Sequence, residues 1–100
     1  MFRFMRIATA KNAATIPAAL QFGAEVTSYL NRRYSLNMKC GVELFGAPKI
    51  HWHFESDSLD KLQQLNVKLM QDREYLGMLE KSKDAWADGS LKDTILAFPE

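Results

Sequence analysis

The sequence predicts an α+β protein with the ferredoxin-like order strand, helix, strand, strand, helix, strand. Two stretches repeat apolar residues at helical spacing, one from Ile16 to Leu30 and one from Leu59 to Trp86. Between them, two alternating runs flank the turn Gly46-Ala47-Pro48-Lys49, which is typical of an antiparallel hairpin. With a further strand-like run at each end of the chain, the pattern predicts an antiparallel sheet covered by helices on one face.

Composition narrows the functional classes before any motif is considered. The chain has 100 residues, 47% of them hydrophobic and 25% charged, with a formal net charge of +1. We expect one domain over residues 1–100, with no attraction for nucleic acid and no membrane span. The single cysteine, Cys40, excludes an intrachain disulfide framework and a cysteine-rich zinc site, and it fits a cytoplasmic location.

The first strand is predicted from Phe2 to Thr9, and the first helix from near Thr15, a candidate N-cap. The acid-free segment before Glu25 resembles a transit peptide in composition, but the strand followed by an amphipathic helix favours a folded start.

The hairpin contains the second and third predicted strands. Leu36 to Phe45 alternates, with Cys40 and Leu44 on its apolar side, where Cys40 is expected to be a small buried hydrophobe. In the third strand, from Ile50 to Glu55, apolar and polar side chains alternate without interruption.

The second helix is predicted to be broken in two. Asp57 or Ser58 can cap its start, and Asp72 forms a fresh N-cap within it. Asp88-Gly89-Ser90 ends the helical pattern, and Leu91 to Phe98 is the last predicted strand.

Because the helices cover one sheet face, the other face needs a partner. We expect four residues to meet the helices, namely Ile7, Val42, Trp52 and Ile95. The uncovered face would then carry the apolar residues Phe2, Phe4, Phe45, Leu96 and Phe98. Such a face is a liability in a monomer, so the sequence predicts a homodimer that packs sheet against sheet.

The chain resembles the dimeric α/β-barrel superfamily, which includes antibiotic-biosynthesis-type monooxygenases and many small proteins of unknown function. The resemblance rests on the element order and on three stretches: His51-Trp52-His53-Phe54, Asp72-Arg73-Glu74-Tyr75, and Trp86-Ala87-Asp88-Gly89-Ser90-Leu91. It implies a dimeric barrel and an activity class that ranges from cofactor-independent oxygenases and isomerases to proteins without a reaction. The haem-degrading subgroup, which uses an Asn, Trp and His set, is not favoured. Trp52 is present, but the first strand has no matching Asn, and His51 and His53 lie on a strand and not on the helix that would carry a haem ligand.

The candidate site is a polar row on the open sheet face. His51 and His53 lie two residues apart on one strand face and are the candidates for proton transfer. The ligand-binding residues predicted beside them are Arg6, Lys39, Glu43, Glu55 and Thr94. In this interpretation Arg6 or Lys39 stabilises negative charge on a ligand. The alternative is an ordinary polar surface with cross-strand ion pairs.

Three functions remain open at the level of sequence. The first is a homodimer that binds a small apolar or aromatic molecule in a polar and aromatic cavity on the open sheet face. The second is a cofactor-independent monooxygenase or isomerase acting on an aromatic or polyketide-like substrate. The third is a dimerisation module without catalysis. No cofactor and no metal are expected, because no nucleotide-binding glycine motif and no third zinc ligand are present.

Overall fold

The computed structural model describes residues 1–43 and 45–99. Its four strands form one antiparallel sheet in the order β2-β3-β1-β4. The strands are β1 (Phe2–Thr9), β2 (Lys39–Val42), β3 (Lys49–Ser56) and β4 (Lys92–Ala97). The α-helices are α1 (Ile16–Tyr34), α2 (Leu59–Met70) and α3 (Arg73–Ser82). This order confirms the predicted ferredoxin-like fold, with the second helix broken into α2 and α3.

The helix ends follow local hydrogen-bonding chemistry. Asn12 and Thr15 form a capping box one turn before α1, so Thr15 closes that turn and does not cap α1 through its side chain. Of the two residues predicted to cap α2, it is Ser58 whose side chain accepts from the backbone N–H of Lys61. Asp72 accepts from the backbone N–H of Tyr75 and thereby starts α3 as predicted.

The second strand is shorter than predicted, and its position is set from α1. Ser35 ends α1 in the left-handed conformation, with φ of 54°. The Asn31 side chain then brackets Met38, donating to its carbonyl at 3.0 Å and accepting from its N–H at 2.7 Å. The strand therefore begins at Lys39, and Leu44, which the sequence predicts within it, lies outside the described residues.

The core lies between α1 and the centre of the sheet. The buried alternate residues of β3 are Ile50, Trp52 and Phe54, as their pattern predicts. Ala19 of α1 is completely buried, and Gly23 brings the helix close enough that an added Cβ would touch three side chains of the sheet. Small residues on α1 and large ones on β3 therefore interdigitate.

The predicted face of β1 is wrong. In antiparallel pairs, residues directly opposite each other project to the same face. Phe4 lies opposite Phe54, and Arg6 lies opposite Trp52, so both project toward the helices, while Ile7 lies opposite His51 on the open face. The register also places Phe2 on the helix-facing side.

The other strands largely follow the prediction. Val42 and Ile95 lie on the helix-facing side, opposite Ile50 and Phe4, and Leu96 lies on the open face. Phe45 is in the hairpin loop and 91% exposed, because β2 ends before it. Among residues 1–43 and 45–99, the helices include none that is long and apolar enough to cross a membrane.

Candidate functional site

The predicted polar row forms on the open face of the sheet. His51 and His53 are both half-buried there, and His51 Nε2 lies 2.8 Å from Glu43 Oε1. Glu55, two residues further along β3, accepts a hydrogen bond of 2.7 Å from Arg3, which projects from β1. The row is therefore built from short cross-strand pairs between partly exposed groups, which stabilise a sheet only modestly.

Two of the other predicted residues join this face, and one does not. Lys39 lies opposite His53, and Thr94 lies opposite Met5, so both share the face of the histidines. Arg6 projects from the other face, toward the helices, so it cannot act with His51 and His53 on one ligand. The prediction that Arg6 belongs to this site is therefore wrong, because pairing with the neighbouring strands determines which side chains of β1 face the helices.

A large hollow lies on the helix side of the sheet. It has a volume of about 1120 Å³ and separates the sheet from α2, α3 and the segment that leads to β4. The sequence pattern predicts a cavity on the open face, whereas this hollow is on the opposite face. Aromatic side chains make up much of its wall, namely Phe4, Phe22, Trp52, Phe54, Tyr75 and Trp86.

A polar cluster projects from the sheet into this hollow. The Arg6 guanidinium donates to both carboxylate oxygens of Asp93, from Nε at 2.7 Å and from Nη2 at 2.8 Å. Arg6 Nη1 also lies 3.4 Å from the Tyr75 hydroxyl, a long contact that leaves this nitrogen with hydrogen-bonding capacity. Hydrogen bonding to Asp93 raises the pKa of Arg6, although burial opposes this shift.

The same cluster remains accessible. The Arg6 side chain is 29% exposed and the Asp93 side chain 42% exposed, and both border the hollow. A molecule in the hollow could therefore accept a hydrogen bond from Arg6 and donate one to Asp93. The phenol of Tyr75 adds a group that can donate or accept beside them.

An apolar aromatic cluster also lines the hollow. The rings of Phe22, Trp52 and Trp86 meet edge to face, with centroids 5.7 to 6.0 Å apart. Edge-to-face packing fixes ring orientation beyond what burial alone does. Trp52 Nε1 is buried and finds no hydrogen-bond partner among the described residues.

The segment between α3 and β4 closes one end of the hollow and is tied to β1. Ala87 N donates to Thr9 O at 2.8 Å, and Lys11 N donates to Ala85 O at 2.8 Å. Ser90 adds a side-chain link, since its Oγ accepts from Thr9 N at 3.1 Å. These bonds hold the Trp86 side of the wall against the end of β1.

Sequence reasoning missed Asp93 and Tyr75. Asp93 shares the phase of Ile95, which was expected to meet the helices, and Arg6 shares the phase of Phe4 and Ala8. One residue of each charge among the helix-facing positions of two neighbouring strands is the signal that predicts an ion pair on that face. Assigning Arg6 to the open face concealed that signal.

A second polar cluster joins α1 to α3. Tyr29 and Tyr34 donate from their hydroxyls to Asp72 Oδ2, at 2.7 and 2.6 Å. Burial raises the pKa of Asp72, but the hydrogen bonds from Tyr34, Tyr29 and the Tyr75 N–H outweigh it and lower the pKa to about 2. The hydrogen bond to Asp72 in turn raises the pKa of Tyr34 to about 12. The cluster holds the start of α3 on α1 and lies outside the hollow.

The structure also tests the prediction that Cys40 is buried. Cys40 projects toward the helices, with its Sγ beside Gly23, but it is exposed because β2 is an edge strand. The prediction that it is buried is therefore wrong. Within residues 1–43 and 45–99, histidine, cysteine and carboxylate side chains form no group of three or more that could hold a metal ion.

Solved structures share this arrangement of strands and helices. A NIPSNAP family protein of unknown function from Agrobacterium tumefaciens is 24% identical with a TM-score of 0.78, over 96% of this chain and 86% of that chain. An antibiotic biosynthesis monooxygenase-like protein from Deinococcus radiodurans is 14% identical with a TM-score of 0.75, over 100% and 94%. A dimeric ferredoxin-like protein from an uncultured marine organism is 19% identical with a TM-score of 0.66, over 100% and 97%.

Sequence comparison alone finds less. No family model matches the chain, and no curated protein matches it either. At these identities the structural likeness concerns the fold. The chain has the ferredoxin-like fold that NIPSNAP proteins and monooxygenase-like proteins share, as the resemblance in its sequence predicts.

Proposed function

We propose that this protein is a homodimer that binds a small, largely apolar molecule in the hollow between its sheet and α2 and α3. The observation that carries the proposal is the combination of an apolar aromatic lining with the Arg6–Asp93–Tyr75 cluster in one hollow of about 1120 Å³. Ligand sites commonly combine a mostly apolar lining with a few convergent polar groups in a volume of roughly 300–1,000 Å³. The hollow has this character, with a volume slightly above that range.

The packing of α2 supports the same proposal. None of its residues is buried, and Leu59 and Met70, which border the hollow at the two ends of α2, are 51% and 55% exposed. A helix with an amphipathic sequence ordinarily buries its apolar stripe. An apolar ligand in the hollow would cover part of the apolar stripe of α2.

The experiment fills the hollow from α2. Leu62 borders the hollow, whereas Val67, on the same helix, is exposed and does not border it. Leu62→Trp should weaken binding of the neutral dye Nile red at least about fivefold, because the indole occupies the space of the ligand. Val67→Trp is the matched control and should leave the dye affinity unchanged.

Dye fluorescence titration and circular dichroism spectra of both variants complete this test. A wild-type protein that does not bind the dye, or variants that bind it equally well, would contradict the proposed ligand site. A protein that is dimeric but binds no dye would then fit a dimerisation module.

The proposed dimer interface is the open sheet face. Met5 and Ile7 project from the centre of this face, and Leu96, from the neighbouring edge strand, is 42% exposed. Phe98 lies beside Arg3 of the same face, with its ring centroid 5.1 Å from the guanidinium carbon. The likeness to a dimeric ferredoxin-like protein supports this arrangement. A second copy would bury these apolar groups.

In this dimer the polar row would lie at or beside the interface. His51 and His53, with Lys39, Glu43, Glu55 and Thr94, would then position the partner, and they stay candidates for proton transfer only if the interface leaves a cavity. Ile7→Asp should convert a dimer to a monomer at micromolar concentration, because it places a carboxylate within the contact. Val67→Asp, on α2, should stay dimeric. Light scattering distinguishes these outcomes, and a monomeric wild-type protein would refute the dimer.

Catalysis is the second candidate function. Tyr75, Arg6 and Asp93 place a phenol, a cation and a carboxylate in one hollow, which is the kind of set that moves protons and stabilises an enolate. The likeness to a monooxygenase-like protein favours oxygenation of an aromatic substrate without a cofactor, or isomerisation. Oxygen uptake with a quinol substrate, abolished by Tyr75→Phe, would support this function. Binding without turnover would leave the first proposal alone.

A further inference from the structure

The charge state of the hollow indicates which molecules can enter it. Its charged lining residues, among those that the structure describes, are Arg6, Asp60, Lys83, Asp88 and Asp93. Two cations against three carboxylates leave the lining with a formal net charge of −1. A hollow of this charge does not attract anions.

The arginine in the wall does not change that conclusion. Both of its bonds to Asp93 are short, at 2.7 and 2.8 Å, and they use the two parallel donors of a bidentate pair. A ligand carboxylate would have to compete with Asp93 for Arg6 and would lie beside a like charge. From the sequence, Arg6 is predicted to bind a negatively charged group of the ligand. Its pairing with Asp93 argues against that role.

What the pair offers is a donor next to an acceptor. Among the described residues, Arg6 Nη1 is engaged by the long 3.4 Å contact to Tyr75 alone, and the carboxylate oxygens of Asp93 retain free lone pairs, since the side chain is 42% exposed. A neutral group with a carbonyl beside an N–H or O–H matches both. The aromatic side chains that line the same hollow match a flat apolar body.

Building on the proposed function, we propose that the hollow selects neutral aromatic molecules bearing an adjacent hydrogen-bond acceptor and donor, and that it rejects their carboxylate analogues. Asp93 is the specificity-determining residue, because it neutralises Arg6. The acceptor of the ligand binds Arg6, and its donor binds Asp93.

The test uses two probes of nearly the same shape, 2-naphthamide and 2-naphthoate. The amide is neutral and the acid is fully ionised at about pH 7.5. Isothermal titration calorimetry should give the amide an affinity at least about tenfold higher in the wild-type protein, because the ionised probe loses hydration without gaining a free cation.

Two variants distinguish the effect of the Arg6–Asp93 pair from the effect of the net charge of the lining. Asp93→Asn and Asp88→Asn each remove one carboxylate from the lining, but only Asp93→Asn releases Arg6. Asp88 is exposed and serves as the matched control. In Asp93→Asn the preference for the amide should fall at least about fivefold or reverse, whereas in Asp88→Asn it should stay close to the wild-type value.

Each outcome decides the question. If the wild-type protein binds the carboxylate as tightly as the amide, or if the two variants shift the preference equally, the inference is wrong while ligand binding stands. If neither probe binds although Nile red does, the inference is wrong and the proposed function stands. If Nile red does not bind either, the proposed function fails, and the inference fails with it. The comparison of the two probes in the wild-type protein remains decisive even if Asp93→Asn does not fold.

Discussion

The close contact between α1 and β2 at Gly23 allows the effect of Gly23→Ala on stability to be predicted. A Cβ added at this glycine would lie 3.1 Å from Cys40 Sγ, 3.4 Å from Ile50 Cγ2 and 3.8 Å from Trp52 Cζ2. Only the sulfur contact is seriously short, by about half an ångström relative to ordinary packing distances of roughly 3.5–4.0 Å. In Gly23→Ala, the higher helix propensity of alanine is therefore opposed by one close contact, that with Cys40 Sγ.

The two effects are of similar size. Alanine in a helix interior is favoured over glycine by about 1 kcal/mol. Overpacking costs about 1 kcal/mol at its lower end, and that end applies here because Cys40 lies on an exposed edge strand and can shift. We therefore expect Gly23→Ala to change the free energy of unfolding by less than about 0.5 kcal/mol in the wild-type background. In a Cys40→Ala background it should stabilise by about 0.5–1 kcal/mol.

A double-mutant cycle measured by urea unfolding tests this reasoning. The four proteins are compared at one protomer concentration, since dimerisation makes stability depend on concentration. Gly77→Ala on α3 is the control, because a Cβ there meets nothing within 4 Å among the described residues. It should stabilise both backgrounds equally. Equal effects of Gly23→Ala in the two backgrounds would refute the assignment of the clash to Cys40.

Three further outcomes follow from other contacts. The lowered pKa of Asp72, about 2 against an ordinary 3.8, stabilises the fold above about pH 4, and that stability is lost as the pH falls toward 2. Asp72→Ala should therefore flatten the acid limb of stability measured by thermal melts between about pH 5 and 2, and an unchanged limb would contradict this. Asn31→Ala should lower the free energy of unfolding measured in urea by about 1–2 kcal/mol, since the backbone N–H and C=O of Met38 both lose the side chain that they bond. Exposed Cys40 should react with a thiol reagent in the native protein within minutes, and protection until unfolding would show that the thiol is buried.

Much of the fold could be predicted from local pattern. The alternation in β3 identifies which of its side chains enter the core, because a strand with one apolar and one polar face has a single favourable orientation. The new N-cap at Asp72 predicts the break between α2 and α3, since its side chain satisfies a backbone N–H that the helix cannot. Element order then restricts the topology to the ferredoxin-like sheet.

The site could not be predicted in the same way, because β1 has no unique apolar face. Phe4 and Arg6 alternate with Met5 and Ile7, so each face carries apolar side chains, and one charge decides little. Local patterns are enough to predict the sheet, its helices and the polar row of His51 on β3. The face of β1 depends on its pairing with β3 and β4, which brings Asp93 beside Arg6 from 87 positions away. An arginine can face the helices here because that distant carboxylate neutralises it.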